Sequence, residues 1–440
     1  MKRASPLMVG IVFAGLLVFA CDDGLVTRST EAESTGSTAS AEPTTAARPD
    51  NCESPGGESW SSDASTSLEL IGEEGELSIY AAEYPLSGPT EGLWSQWGQG
   101  IALGDGRHLS AIGDHVGVDG NSWFYLYEDG SRSLTRIFDV LSVVPHEEGA
   151  GGYGKIHAQM VTDECGSIWA ATYWGTRTDL AYGNGYDGDR LLEIDPIAGT
   201  VLDRGVIATG RGIPTMAISA DGHTLVAAAV EPESDTAVVA SYDTRTHSVL
   251  DELDDPRQIG YRALAAGENG DVLFSIGDGR LSAFDPASQT GSDVDAEMPG
   301  DWLRAVTEVG PDGSSYGVTQ DRPELFSLAE NGSAGHLGDP LGYTTSLAMS
   351  DDADQIFWMP NAHGSAWESG AVVLALDTAT GKISELVKLA PIFESELGLR
   401  AGGTYSVVYD NGRLILGVNA SPRDDDSGFG TVVLVVIEGL

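Results

Sequence analysis

The sequence predicts an all-β chain folded as a seven-bladed β-propeller, closed by an N-terminal strand that completes the last blade. Three observations carry this expectation. Seven short hydrophobic segments end in tight turns, at Asp105-Gly106, Cys165-Gly166, Asp221-Gly222, Asn269-Gly270, Asp312-Gly313, Ala353-Asp354 and Asn411-Gly412, and a second hydrophobic segment follows each one. In most of these turns Gly or Asn supplies the positive φ that a two-residue hairpin needs. The turns recur at roughly 40 to 60 residues, the period of small sheets that cannot bury their faces alone and so stack radially. Finally, the last unit shows three evident strands, 404–410, 413–420 and 431–438, and the segment from Glu76 to Tyr84 is the candidate for its missing outer strand. Pairing the two would remove the exposed edges that invite aggregation.

From the N-terminus, Lys2 and Arg3 precede an apolar run from Val9 to Ala20. The run is short for a membrane span and has the order of an export signal. It ends in Val18-Phe19-Ala20-Cys21, which resembles a bacterial lipobox; the resemblance implies a signal peptide over residues 1–20 and a lipid on Cys21. Residues 21–67 are rich in Ser, Thr, Ala, Glu and Pro and read as a disordered tether, because few large apolar residues are present to offset ordering entropy. The propeller domain is expected over residues 68–440.

The formal net charge is -44 and the lysines are Lys2, Lys155, Lys382 and Lys388, which disfavours nucleic-acid binding by backbone repulsion. With Cys21 assigned to lipid, Cys52 and Cys165 remain in an oxidising setting. A disulfide pinning the tether to the second blade and a pair of unlinked thiols both stay open.

The clearest unit begins at Lys155 and runs through strands near 156–161, 167–173, 190–195 and 200–207. The turn between its third and fourth strands recurs as Tyr242-Asp243-Thr244, Phe284-Asp285-Pro286 and Leu376-Asp377-Thr378, where Asp or Thr bonds nearby backbone and Pro sets φ. In a propeller such turns lie on one face. The opposite face receives the long segments 141–154, 174–189, 362–370, 391–403 and 421–430, and long loops in a compact domain usually carry function.

The stretches Gly113-Asp114-His115, Asp119-Gly120-Asn121-Ser122-Trp123, Tyr153-Gly154-Lys155-Ile156-His157, Ala171-Thr172-Tyr173-Trp174-Gly175 and Gly188-Asp189-Arg190-Leu191-Leu192 resemble those of exported bacterial propeller proteins of lipoprotein type. The resemblance implies the propeller fold and a face centred on His115 and His157, and no particular reaction. A looser similarity, of fold and residue type alone, is to propeller-fold polysaccharide lyases and rhamnosidases.

The second residue of each innermost strand should surround the mouth of the central channel. This gives His157, Thr215, Arg262, Arg304, Thr344 or Thr345, and Thr404, with Lys155, Arg211 and Arg400 just outside. Cations gathered there would set a local positive field against an acidic background, and Arg matches a carboxylate or phosphate with a two-pronged fork. Tyr173, Trp174, Tyr186, Trp302 and Tyr343 would add rings suited to sugar faces, with His363 from the loop at 362–370. The expected ligand is an anionic saccharide or small anion. In the enzymatic alternative, a uronate lyase or glycosidase, His157, His115 and Tyr173 would be the acid and base groups. A scaffold for an envelope protein is the third possibility. No spacing typical of a metal site, P-loop, dinucleotide fingerprint or nucleophile elbow occurs, so no metal or cofactor is expected, and the chain is expected to be a monomer.

Overall fold

Each of the seven short turns joins the two innermost strands of one antiparallel sheet. The residues that complete them, Gly106, Gly166, Gly222, Gly270, Gly313, Ala353 and Gly412, all have positive φ. A computed structural model describes residues 48–49, 52–86, 94–174, 185–232, 234, 236–253 and 258–440. Its sheets form the seven blades of a propeller.

Blade one comprises Ile101–Ala102, Arg107–Gly113, Ser122–Glu128 and Ser133–Asp139, inner to outer. Blade two follows with the divided inner strand Lys155–Ile156 and Val161–Thr162, then Ile168–Tyr173, Arg190–Asp195 and Thr200–Val206. The inner strands of blades three to seven are Gly212–Ile218, Ala265–Ala266, Leu303–Val306, Ala348–Met349 and Leu399–Asp410. The second strands lie between neighbouring blades and are largely buried: every residue of Thr224–Val230 is buried. Burial on both sides explains why these strands read as continuous apolar runs rather than alternating ones.

The last blade closes as the sequence predicts. Leu77–Glu83 pairs antiparallel with Thr431–Glu438, and Glu69–Glu74 adds a further strand outside it. The chain upstream differs from the expected tether. Glu58–Ser59 pairs with the outer strand of blade two and Ala64–Ser67 with that of blade one. These strands are held by main-chain hydrogen bonds along blade edges, which composition does not register, so ordered structure begins before Leu68. Cys52 is disulfide-bonded to Cys165 in the inner turn of blade two, with 5.6 Å between the Cα atoms. Beside it Arg48 ion-pairs with Asp195 at 2.9 Å, and the Ser54 hydroxyl donates to the same carboxylate at 2.7 Å. The segment 391–403 is also not a loop: helical turns cover Leu389–Ile392 and Phe393–Leu397, and the inner strand starts at Leu399. Cys21 lies outside the described residues. Among the described residues no helix is long and apolar enough to cross a membrane.

Candidate functional site

Register breaks in the inner strands aim side chains at the channel. In blade five Leu303 faces Thr319 and Ala305 faces Val318, so Arg304 is the extra residue. In blade seven Thr404 faces Val418 and Ser406 faces Gly417, which leaves Tyr405 over. In blade two the residues 157–160 bulge between the pairs Ile156 with Thr172 and Val161 with Trp169. An inserted residue bends its strand and redirects its side chain, here into one pocket. The pocket holds about 390 Å³ of space, continuous with solvent, and its lining includes Trp97, Gln99, His157, Gln159, Arg262, Arg304, Thr345 and Tyr405. Among the described residues no Asp or Glu lines it.

His157 is committed on both ring nitrogens. Nδ1 lies 2.9 Å from the Pro214 carbonyl oxygen, which can only accept, so Nδ1 carries the proton. Nε2 lies 3.0 Å from Arg262 Nη1 and accepts from the guanidinium. Burial, then the charges of Arg262 and Arg304, hold its pKa well below the ordinary value. The imidazole is therefore a neutral brace for Arg262. Tyr173, expected beside it as an acid, is buried, with its ring 5.2 Å from that of His157 and 4.0 Å from that of Trp174.

Arg304 is only 4% exposed. Its Nε donates to the Tyr343 hydroxyl at 2.7 Å, and its Cζ lies 5.3 Å and 5.9 Å from the ring centres of Tyr343 and Tyr405. Arg262 lies 5.0 Å over Tyr261 and Lys155 lies 4.8 Å over Trp97, so aromatic faces hold each cation. Among the described residues neither Arg262 nor Arg304 has a carboxylate partner.

His115 stands on the same rim, its ring 5.0 Å from that of Trp97. It takes φ 62, uncommon for a residue with a Cβ. The loops around it impose that conformation: His115 N donates to Gly154 O, Gly152 N to Gly117 O and Tyr153 N to Gly120 O. The buried Asp114 carboxylate accepts from Val116 N and Asn121 N at 2.9 and 3.0 Å. Burial, and then Lys155, push the His115 pKa down to about 4. His363 Nδ1 meets the Tyr405 hydroxyl at 2.7 Å. Burial followed by Arg304 and Arg262 lowers the His363 pKa, and burial raises that of Tyr405, so the bond joins two neutral groups.

Other expected site residues serve packing. Arg400 is ion-paired with Asp426 and lies 4.5 Å over Trp367. Arg211 reaches the Thr236 carbonyl at 3.2 Å, and its own carbonyl accepts from the Tyr186 hydroxyl at 3.1 Å. Trp174 is 2% exposed and lies against Gly212, where an added Cβ would fall 1.9 Å from the indole. Trp302 packs on Gly260 and Gly277. Trp174 and Tyr186 are buried beneath the loops and so present no platform to a sugar, whereas Trp302 is half-buried. Among the described residues no group of three or more His, Cys, Asp or Glu could hold a metal ion.

Trp97, Gln99, Gln159 and Tyr405 line the pocket and escape the sequence reading. Trp97 and Gln99 precede the two-residue inner strand Ile101–Ala102, too short to show a period. Tyr405 is displaced by one position from Thr404 by the bulge, and a one-residue slip exchanges the faces of a strand.

No family model matches the chain, and no curated protein matches it. Solved structures do. A streptogramin B lyase structure is similar over 81% of this chain and 97% of its own, with a TM-score of 0.53 and 12% identity. At that identity the likeness shows the propeller fold.

Proposed function

We propose that the protein binds a small anionic ligand, an acidic saccharide or related organic acid, in the channel-mouth pocket, as an exported protein anchored through Cys21. One observation carries the binding reading: two guanidinium groups, one of them nearly buried, line a pocket that among the described residues has no acidic side chain, in a protein of net charge -44. Desolvating a cation costs several kcal/mol unless an anion compensates, and an incoming carboxylate would supply that compensation. The test is isothermal titration with uronate oligosaccharides against wild type, Arg262→Ala and Arg304→Ala. Binding should be lost in both variants with the fold retained; unchanged affinity in both would sink the reading.

Elimination on the same ligand is a second reading, favoured by His115. Apart from its own main-chain carbonyl, its ring has no hydrogen-bond partner among the described residues, and it is neutral at pH 7. Such an imidazole can take the proton next to a carboxylate that Arg262 or Arg304 holds, the C–H electron pair forming the double bond as the neighbouring C–O bond breaks and the departing oxygen takes a proton from solvent water, whereas His157 cannot act so while it accepts from Arg262. His115→Asn tests it, since Asn tolerates positive φ: loss of unsaturated product with binding intact supports a base, and absence of product from wild type across uronate polymers rejects it.

A further inference from the structure

The hydrogen bonds already made by the two pocket arginines specify which of their edges remain. Arg304 uses Nε on the Tyr343 hydroxyl, so its end-on edge, Nη1 with Nη2, is uncommitted among the described residues. Arg262 uses Nη1 on His157 Nε2, so its side edge, Nε with Nη2, is the uncommitted pair. Each guanidinium thus keeps one complete fork of parallel N–H donors. A fork matches the two oxygens of one carboxylate, and it is this geometry that distinguishes Arg from a point charge.

The neighbours keep the forks in place and the charge uncompensated. His157 is neutral, so the contact that orients Arg262 adds no counter-charge. Tyr343 orients Arg304 through a neutral phenol at 2.7 Å. Thr345 and Gln159, also in the lining, are neutral, and their side chains are engaged within the channel: Thr345 Oγ1 donates to Thr404 O at 2.8 Å, and Gln159 Oε1 accepts from Thr215 Oγ1 at 3.1 Å. The lining therefore carries two positive charges and two forks.

We infer that the ligand is a dianion with two carboxylates, one on the Nη1/Nη2 edge of Arg304 and one on the Nε/Nη2 edge of Arg262, such as a disaccharide of two uronates. This deepens the anion-binding reading and rests on it. A single carboxylate satisfies one fork and leaves the other cation desolvated and unpaired. Inorganic phosphate or sulfate matches the charge in one compact group, whereas a dicarboxylate offers a separate planar pair of oxygens to each fork.

The test is isothermal titration of the full-length protein at low salt with four probes: a di-uronate disaccharide, monomeric glucuronate, the neutral disaccharide of the same linkage, and inorganic sulfate. The di-uronate should bind at least tenfold tighter than glucuronate or sulfate, and the neutral sugar should not bind. Arg304→Lys and Arg262→Lys keep the charge and remove the fork. Each should bring the di-uronate to within about threefold of glucuronate, with thermal unfolding of the unliganded protein confirming the fold. Equal affinity for glucuronate and di-uronate in wild type would overturn the two-carboxylate inference and leave anion binding standing. Tighter binding of sulfate, or lysine variants that keep the di-uronate preference, would overturn it as well. Preference for the neutral sugar, or no binding of any probe, would overturn both readings.

Discussion

His108 offers a quantitative test of burial in this fold. It sits in the second strand of blade one, is 1% exposed, and its Nδ1 has no partner among the described residues. Burial pushes its pKa from 6.5 down to about 3. The sign follows from proton counts. Below pH 6.5 the unfolded chain takes up the proton while the folded chain does not, so stability falls with pH by about 1.4 kcal/mol per unit until the folded pKa is reached. At pH 4.5, two units below the unfolded value, the loss from this one group is about 3 kcal/mol. The wild-type profile alone hides it, because buried Asp114, raised to about 6, and Asp163 and Asp189, also raised, bind protons first in the folded state. Those carboxyls add stability as pH falls through the same window. A cycle isolates the histidine: urea unfolding of wild type and His108→Leu at pH 7.5 and at pH 4.5. Whatever the substitution costs in packing is common to both conditions, and the variant should gain on wild type by about 3 kcal/mol on acidification. A gap that moves by less than about 1 kcal/mol would show that the site admits the proton or water, and would refute the burial argument.

Removing the disulfide by Cys52→Ser with Cys165→Ser opens a loop spanning 113 residues, for which chain entropy predicts a loss of about 4.8 kcal/mol. Urea midpoints of the oxidised wild type and the double variant measure it, and a change below about 1 kcal/mol would mean that the unfolded chain is little constrained by the link. Gly212→Ala forces a methyl to within 1.9 Å of the Trp174 ring and should destabilise by about 1 to 3 kcal/mol, read as a lower melting temperature. Cys21→Ser should move the exported protein from the membrane fraction to the soluble fraction; retention in membranes would count against lipid anchoring.

Much of the architecture is legible because its cues are local. The Gly and Asn residues of the inner turns need only their own φ, so the number of blades can be counted without knowing any long-range contact. The missing outer strand of the last unit is equally readable, since an unpaired edge demands a partner and Leu77–Glu83 has the right pattern. His157, Arg262 and Arg304 are reached by the same counting, and the structure brings them into one pocket.

What the sequence determined by itself was therefore what depends on neighbours along the chain: turns, strand alternation, the ring and its closure. Tertiary structure alone decided which residues of that ring meet. Trp97 and Tyr405 come together at 5.2 Å from opposite ends of the domain, and a bulge rather than a periodic pattern turns Tyr405 inward. It also set their chemistry, because His157 is a general base by residue type and becomes a brace only when Pro214 and Arg262 occupy its two nitrogens. Hydrogen bonding and desolvation act through space over a few ångströms, and a sequence records distance along the chain.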